Sequence, residues 1–402
     1  MNDNLYINKI LLISFFAIAH STEAIYAASL PHIAESMQLS SNAIQYISSS
    51  GFLGFSLGIL LFGRLSDVFG RKPIIITGII LYIISTILTT LVKSIDALII
   101  CRGIQSFSIS VGSVVAQAII RDVFRGRALS QMYSQVSAGL ALLPAISAGL
   151  GSIISEHFGW KYNMLCLVFI SVVILYFTIL LFNETHKTNN LIYKSSYFKI
   201  LKKIIKDPKV WCYTIIIGCS NSIFFGFLIE APFIIMVKFD MPVQSYSMLL
   251  LFFSVVLLIS GLINSKLIKS KLVDANTLIQ YGAKISIFSS LIFLLSITFY
   301  DNSAYLLILI IVSRVLFFIS HSFTSPHCLR FALEDYNGVN GTAGSIFGFG
   351  YYFMVSISNA VIAKMHSDAS FVYFGIHITC LSFVAAILVF LLRTYNSKET
   401  IT

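Results

Sequence analysis

Long apolar runs broken by short polar intervals set the pattern of this chain. By run length alone, about twelve stretches reach the roughly 20 residues that a helix needs to cross a bilayer. They fall near 10–34, 42–62, 74–92, 97–120, 128–153, 162–182, 211–235, 246–265, 277–299, 304–328, 338–363 and 371–392. The expected fold class is therefore an all-α membrane protein with about twelve transmembrane helices. One polar interval, Asn183 to Lys209, is longer than the others. It divides the chain into an N-terminal half (1–184), a basic linker (185–209) and a C-terminal half (210–402), with six runs on each side. Inside the linker, Ile192 to Ile205 carries apolar residues at helical spacing, which predicts an amphipathic helix on the membrane surface.

Composition agrees, at 57% hydrophobic and 11% charged over 402 residues, where a soluble domain averages about 25% charged. A net charge of +10 would suit nucleic acid, but its distribution argues otherwise. With Lys9 inside and the runs alternating, twenty of the 27 basic residues fall on one side. That bias predicts cytoplasmic termini and leaves nucleic-acid binding without support. Ile10–Ala19 could be a signal-peptide core with Ala27-Ala28 near a cleavage site. Removal would leave an odd helix number and lose Glu23, so the stretch is read as the first helix. The cysteines, Cys101, Cys166, Cys212, Cys219, Cys328 and Cys380, lie in apolar segments without a Cys-x-x-Cys pair. No metal or cofactor is expected. Nor is an enzyme, since nucleophile motifs and phosphate loops are missing from the sequence.

Five charges lie within the runs: Glu23, Glu230, Arg102, Lys284 and Arg314. Each costs roughly 2.5–3.5 kcal/mol on insertion scales, so such residues are usually functional and face the interior. Glu23 is fourteen residues from Lys9 and twelve from Glu35, near the middle of its run. A carboxylate withdrawn from water favours its neutral form, which suits proton exchange near neutral pH. The structural alternative is an ion pair with Arg102 or a hydroxyl network with Ser21 and Thr22. Glu230 is eight residues from Lys238, nearer the surface. Arg314 is either its partner or purely structural. Lys284 has a stem long enough to reach the surface. His20 and His321 could relay protons, although a lone helical histidine is more often a hydrogen-bonded filler.

Between the second and third runs stands Gly63-Arg-Leu-Ser-Asp-Val-Phe-Gly-Arg-Lys-Pro73, read as a loop of about ten residues. Gly63 and Gly70 allow tight turns, Pro73 suits the first turn of the next helix, and Asp67 has Arg64, Arg71 and Lys72 in reach. The order closely resembles the loop between helices 2 and 3 of the major facilitator superfamily. That resemblance implies a cytoplasmic gate at Gly63, Asp67, Gly70, Arg71 and Lys72, latched by Asp67 and Arg71. Ser265-Lys-Leu-Ile-Lys-Ser-Lys-Leu-Val-Asp274 is a weak echo between runs eight and nine. Arg102-Gly-Ile-Gln105 resembles the family's fourth-helix motif, in which the Arg tunes a carboxylate and the Gln lies one turn on.

Tyr26-Ala-Ala-Ser-Leu-Pro31, Val114-Val-Ala-Gln-Ala-Ile-Ile-Arg-Asp122, Glu230-Ala-Pro-Phe233 and Gly341-Thr-Ala-Gly-Ser345 narrow the match. Together they are similar to the bacterial Bcr/CflA group of drug–proton antiporters. Gly139, Pro144, Gly149 and Gly151 resemble the exporters' fifth-helix motif. There are two departures. The group's helix 1 Asp falls on Ala24 here, the acid being Glu23. The proline nearest the glycine pair falls on Ala148.

The resemblance implies two parallel six-helix repeats around a central cavity, with Glu23, Glu230, Arg102, Gln105 and Arg314 lining it. It further implies proton-coupled efflux of drugs or other small amphipathic molecules across the bacterial inner membrane. The implied partners are a small-molecule substrate, protons and the lipid bilayer, with the protein a monomer. Proton symport, or dedicated export of one metabolite or siderophore, is the alternative. A sensor or scaffold without flux is remote, because intramembrane charges are costly without a use.

Overall fold

The computed structural model describes residues 3–39, 41–124, 126–185, 197–270, 272–299, 304–336, 340–365 and 371–399. Among these residues the chain forms thirteen α-helices and no strand. They are α1 (Asp3–Met37), α2 (Ser41–Phe69), α3 (Arg71–Leu91), α4 (Ile95–Val123), α5 (Gly126–Phe158), α6 (Trp160–Leu181) and α7 (Tyr197–Lys206). The series continues with α8 (Pro208–Pro232), α9 (Val243–Lys269), α10 (Ala275–Phe299), α11 (Ala304–Ala332), α12 (Asn340–Met365) and α13 (Val372–Glu399). Eleven of them are long and apolar enough to cross a membrane. The 33-residue α5 runs beside them, against α1, α6 and α9. Ten-residue α7 is the amphipathic helix of the linker; the expected start at Ile192 lies outside the described residues.

The outward faces are apolar. Leu165, Phe169 and Tyr176 on α6 and Phe383, Ile387 and Phe390 on α13 are exposed. Patches of that kind are unstable in water and are the solvated face in a bilayer. Inside, many hydroxyls bond to a carbonyl on their own helix, as Thr22 Oγ1 does to that of Ile18 at 2.7 Å. Small residues then let the backbones meet. A Cβ on Gly54 of α2 would stand 2.0 Å from the Gly103 carbonyl oxygen of α4, a contact only glycine permits.

Helices α1 to α6 pack on one another, as do α8 to α13. The two groups meet along α2–α12, α5–α9 and α1–α8. On the α1–α5 contact, Ser147 Oγ donates to Ser21 Oγ at 2.9 Å and Ser155 Oγ to Ser29 Oγ at 3.2 Å. Asn163 of α6 adds bonds to Ser29 and Ser155 at 2.9 and 2.7 Å.

The turns differ from expectation in two places. The ten-residue loop at Gly63–Pro73 shrinks to Gly70 alone, because α2 continues to Phe69 and α3 starts at Arg71. Run length marks the thickness of the bilayer, and the helix extends beyond it through polar residues. Gly70, with φ of 98°, makes the reversal that other residues resist. The run read at 211–235 is also not uniform. After Pro232, which lacks a donor, residues Phe233–Lys238 open into a π-helical turn with Phe239 N bonded to the Ile234 carbonyl at 3.2 Å.

Candidate functional site

The centre of the site is an ion pair between α1 and α4. Arg102 Nη2 donates to Glu23 Oε2 at 2.6 Å, and Ser106 Oγ donates to Glu23 Oε1 at 3.2 Å. Arg102 is 1% exposed, whereas the Glu23 side chain retains 19%. The acid is therefore the more open partner of the pair. The base is fixed from behind. Its Nη1 donates to Gln105 Oε1 at 2.9 Å, and Gln105 Nε2 donates to Thr86 Oγ1 of α3 at 2.9 Å. The three-residue spacing sets Arg102 and Gln105 on one face. The guanidinium also lies 4.1 Å from the Tyr26 ring centroid, a cation–π contact.

Glu23 opens on a cavity bounded by Tyr26 of α1, Ser48 and Phe52 of α2, Arg102 of α4, and Phe225 and Ile229 of α8. Its water-accessible volume is about 20 Å³, room for one or two water molecules. The walls continue as an aromatic cluster: Phe52–Phe225 at 4.8 Å, Phe55–Tyr352 at 4.7 Å and Tyr351–Tyr352 at 4.6 Å between centroids. As it stands the pocket has room for water alone beside an ion pair that one proton would cancel, and its walls are largely apolar and aromatic.

The second charged group lies at the α2–α3 turn. Arg71 Nη1 reaches Asp67 Oδ1 at 2.5 Å and Ser66 Oγ at 2.7 Å, and its Nε reaches Asp122 Oδ2 of α4 at 3.0 Å. Glu184, just past α6, accepts from the backbone N–H groups of Arg71 and Lys72, both at 3.0 Å. It thereby caps the bare N-terminus of α3. Lys72 Nζ donates to the Ile179 carbonyl at 2.9 Å. Gly63 lies on α2 against Ser345 of α12. In the α9–α10 turn, the echo of this stretch, hydrogen bonds from Thr277 hold the Asp274 carboxyl below its usual range.

The other expected site residues are distributed unevenly. Glu230 and Arg314 are fully buried and do not line the cavity, although Ile229 does. Arg314 Nε donates to Ser313 Oγ at 3.3 Å, and neither Nη has a hydrogen-bond partner among the described residues. Its guanidinium lies among Phe293, Phe227 and Phe317, at 4.4, 5.3 and 5.7 Å from their centroids. On α5, Pro144 is inside the helix, Gly149 faces Ser247 of α9, and Gly151 closes on Ile25 of α1. Gly139 belongs to the stretch of α5 whose side-chain surroundings fall outside the described residues.

Sequence reading missed the parts played by Ser106, Asp122 and Glu184. The available signal for the last two was an acid at the basic end of a run. Ser106, next to Gln105, carried none.

The family model of the Major Facilitator Superfamily matches residues 11–359. An uncharacterised transporter of Rickettsia bellii is 34% identical over 362 residues, covering 89% of this chain and 90% of that protein. A bicyclomycin resistance protein homologue of Haemophilus influenzae is 25% identical over 356 residues, 86% of each chain. The crystal structure of a D-xylose–proton symporter matches with a TM-score of 0.75, covering 96% of this chain and 97% of that one. At 12% identity that likeness concerns the fold alone.

Proposed function

This chain belongs to the major facilitator superfamily of transporters, and we propose that within it the protein is a proton-coupled exporter of drugs or other small amphipathic molecules. It is a multi-pass membrane protein and not an enzyme. The observation that carries the reading is the Glu23 carboxylate, bonded to Arg102 at 2.6 Å and open to the cavity. Protonation of Glu23 releases Arg102, and loss of that proton restores the pair. Buried pairs are sensitive to such loss because the remaining charge is left uncompensated.

In the cycle, protons from outside load Glu23. Substrate arriving from the cytoplasm displaces them, and the empty carrier does not return without one. Residues 1–184 and 210–402 rock about the site as two halves joined by the 185–209 linker. Asp67 and Arg71, with Asp122, latch the cytoplasmic end. Arg102 and Gln105 hold the coupling acid, and Glu230, next to the cavity residue Ile229, is a second carboxylate near the route. Arg314 stays outside the coupling step. Gly149 and Gly151 give α5 close contacts with α9 and α1, and with Pro144 they form the stretch that resembles the exporters' motif. The aromatic walls suit an amphipathic substrate, and the relative named for bicyclomycin resistance favours export over uptake. The excess of Lys and Arg on one side supports both termini in the cytoplasm of a bacterial inner membrane, and a monomer suffices.

The test uses inside-out vesicles with an imposed pH gradient and a panel of lipophilic cations, fluoroquinolones, chloramphenicol and amino acids. Several unrelated drugs should collapse the gradient, and Glu23→Gln should abolish the response while the protein remains inserted. Undiminished response in Glu23→Gln sinks the coupling assignment. Uptake in whole cells, with no vesicle response, reverses the direction.

A further inference from the structure

Helix α7 carries a surface to which the proposed cycle assigns no part. Around its axis Lys202, Lys203 and Lys206 fall within about 100°, with Leu201, Ile204 and Ile205 opposite. The apolar side is split. Ile204 is 1% exposed, packed with Tyr213, Tyr336 and Phe347. Ile205 beside it is 52% exposed, and Trp211, one turn into α8, is 43% exposed. Trp211 Nε1 donates to the Ile205 carbonyl at 2.9 Å, which fixes the indole against the end of α7. The α8 span begins at Pro208, so this bare edge lies where a membrane crossing starts.

The basic side has no acid of its own on α7. The neighbouring Asp207 is engaged elsewhere: it accepts from Lys209 N at 2.9 Å and from Tyr336 Oη at 2.8 Å. Lys202, Lys203 and Lys206 are all exposed, and Lys203 Nζ lies 5.0 Å from the Tyr336 ring centroid.

We propose that α7 with Trp211 is a docking surface for anionic lipid headgroups. Ile205 and Trp211 enter the boundary of the acyl region, where indoles concentrate. Lys202 and Lys206 then meet headgroup phosphates, held to the membrane by its negative surface potential. A zwitterionic lipid would satisfy the apolar edge alone, and a dissolved phosphate the lysines alone. Only an anionic bilayer surface satisfies both. The inference rests on α7 and does not depend on the direction of transport.

Trp160 and Trp211 are the two tryptophans of the chain, so the emission lost in Trp211→Phe isolates the α7 signal. The full chain would be reconstituted in bilayers carrying brominated phosphatidylglycerol or brominated phosphatidylcholine at equal mole fraction. Expected is Trp211 quenching by both lipids, stronger by roughly twofold for phosphatidylglycerol. The excess should vanish in the Lys202→Gln/Lys206→Gln double variant, with phosphatidylcholine quenching unchanged. Equal quenching by the two lipids in the unmodified protein overturns the headgroup preference. An excess that persists in the double variant overturns the lysine assignment. Quenching by aqueous acrylamide but by neither lipid overturns the membrane surface altogether.

Discussion

Arg102 and Arg314 are both almost completely buried, in opposite surroundings. Arg102 has a carboxylate, an amide and an aromatic ring, whereas Arg314 has one hydroxyl and three phenylalanines. An uncompensated buried charge is expensive, and an apolar side chain of similar volume removes that cost. Arg314→Met should therefore raise the thermal unfolding midpoint in detergent, and a lowered midpoint would show that the cation is compensated. Arg102→Met should do the reverse, since it strands Glu23. The sequence supplied the existence of both charges and the shared face of Arg102 and Gln105, because these follow from spacing. It did not supply the isolation of Arg314, whose cage is drawn from α8, α10 and α11. Nor did it tell whether Glu23, displaced by one residue from the family's acid, still reaches the cavity. That depends on which side of α1 its neighbours leave open, and a helix buried on most sides has no polar stripe to mark it.

Among the elements, the α2–α3 hairpin is held from several sides. A single residue reverses the chain, and two acids distant in sequence hold the result: Asp122 on the Arg71 side chain and Glu184 on its backbone. Asp67→Asn should slow turnover without altering the order of preference among substrates, measured in the vesicle assay. A changed order at normal turnover would count against the latch. Gly54→Ala tests the α2–α4 contact. Its methyl must displace the Gly103 backbone, adjacent to Arg102, so the expected loss is about 1–3 kcal/mol of stability together with slowed transport. The order of Gly, Asp, Arg and Lys made this hairpin recognisable before any fold was known. Its true length was hidden, because Arg64, Ser66 and Asp67 look like loop residues and are helical here.

At the scale of the whole molecule, the long apolar runs made the helical membrane architecture readable. How the helices pair was not readable, since α2–α12 and α5–α9 join stretches far apart in the chain. Ser49 and Ser356 show such a join: each donates its hydroxyl to the other's carbonyl at 2.8 Å, and their Oγ atoms are 3.4 Å apart. With the native cysteines replaced, Ser49→Cys/Ser356→Cys should form a disulfide. Transport should stop on oxidation and return on reduction. Undisturbed transport in the oxidised protein would mean that α2 and α12 keep this contact throughout the cycle.

The bonds between α1 and α5 have a mechanical consequence. Ser21 with Ser147, Ile25 with Gly151 and Ser29 with Ser155 all stand 126 positions apart, so the two helices run parallel in fixed step. Each pairing recurs after four residues. A slip of less than one helical pitch, about 5.4 Å, breaks all of them together. The pair therefore travels as one strut, and gradual sliding is left to the other side of α5, where Gly149 meets Ser247.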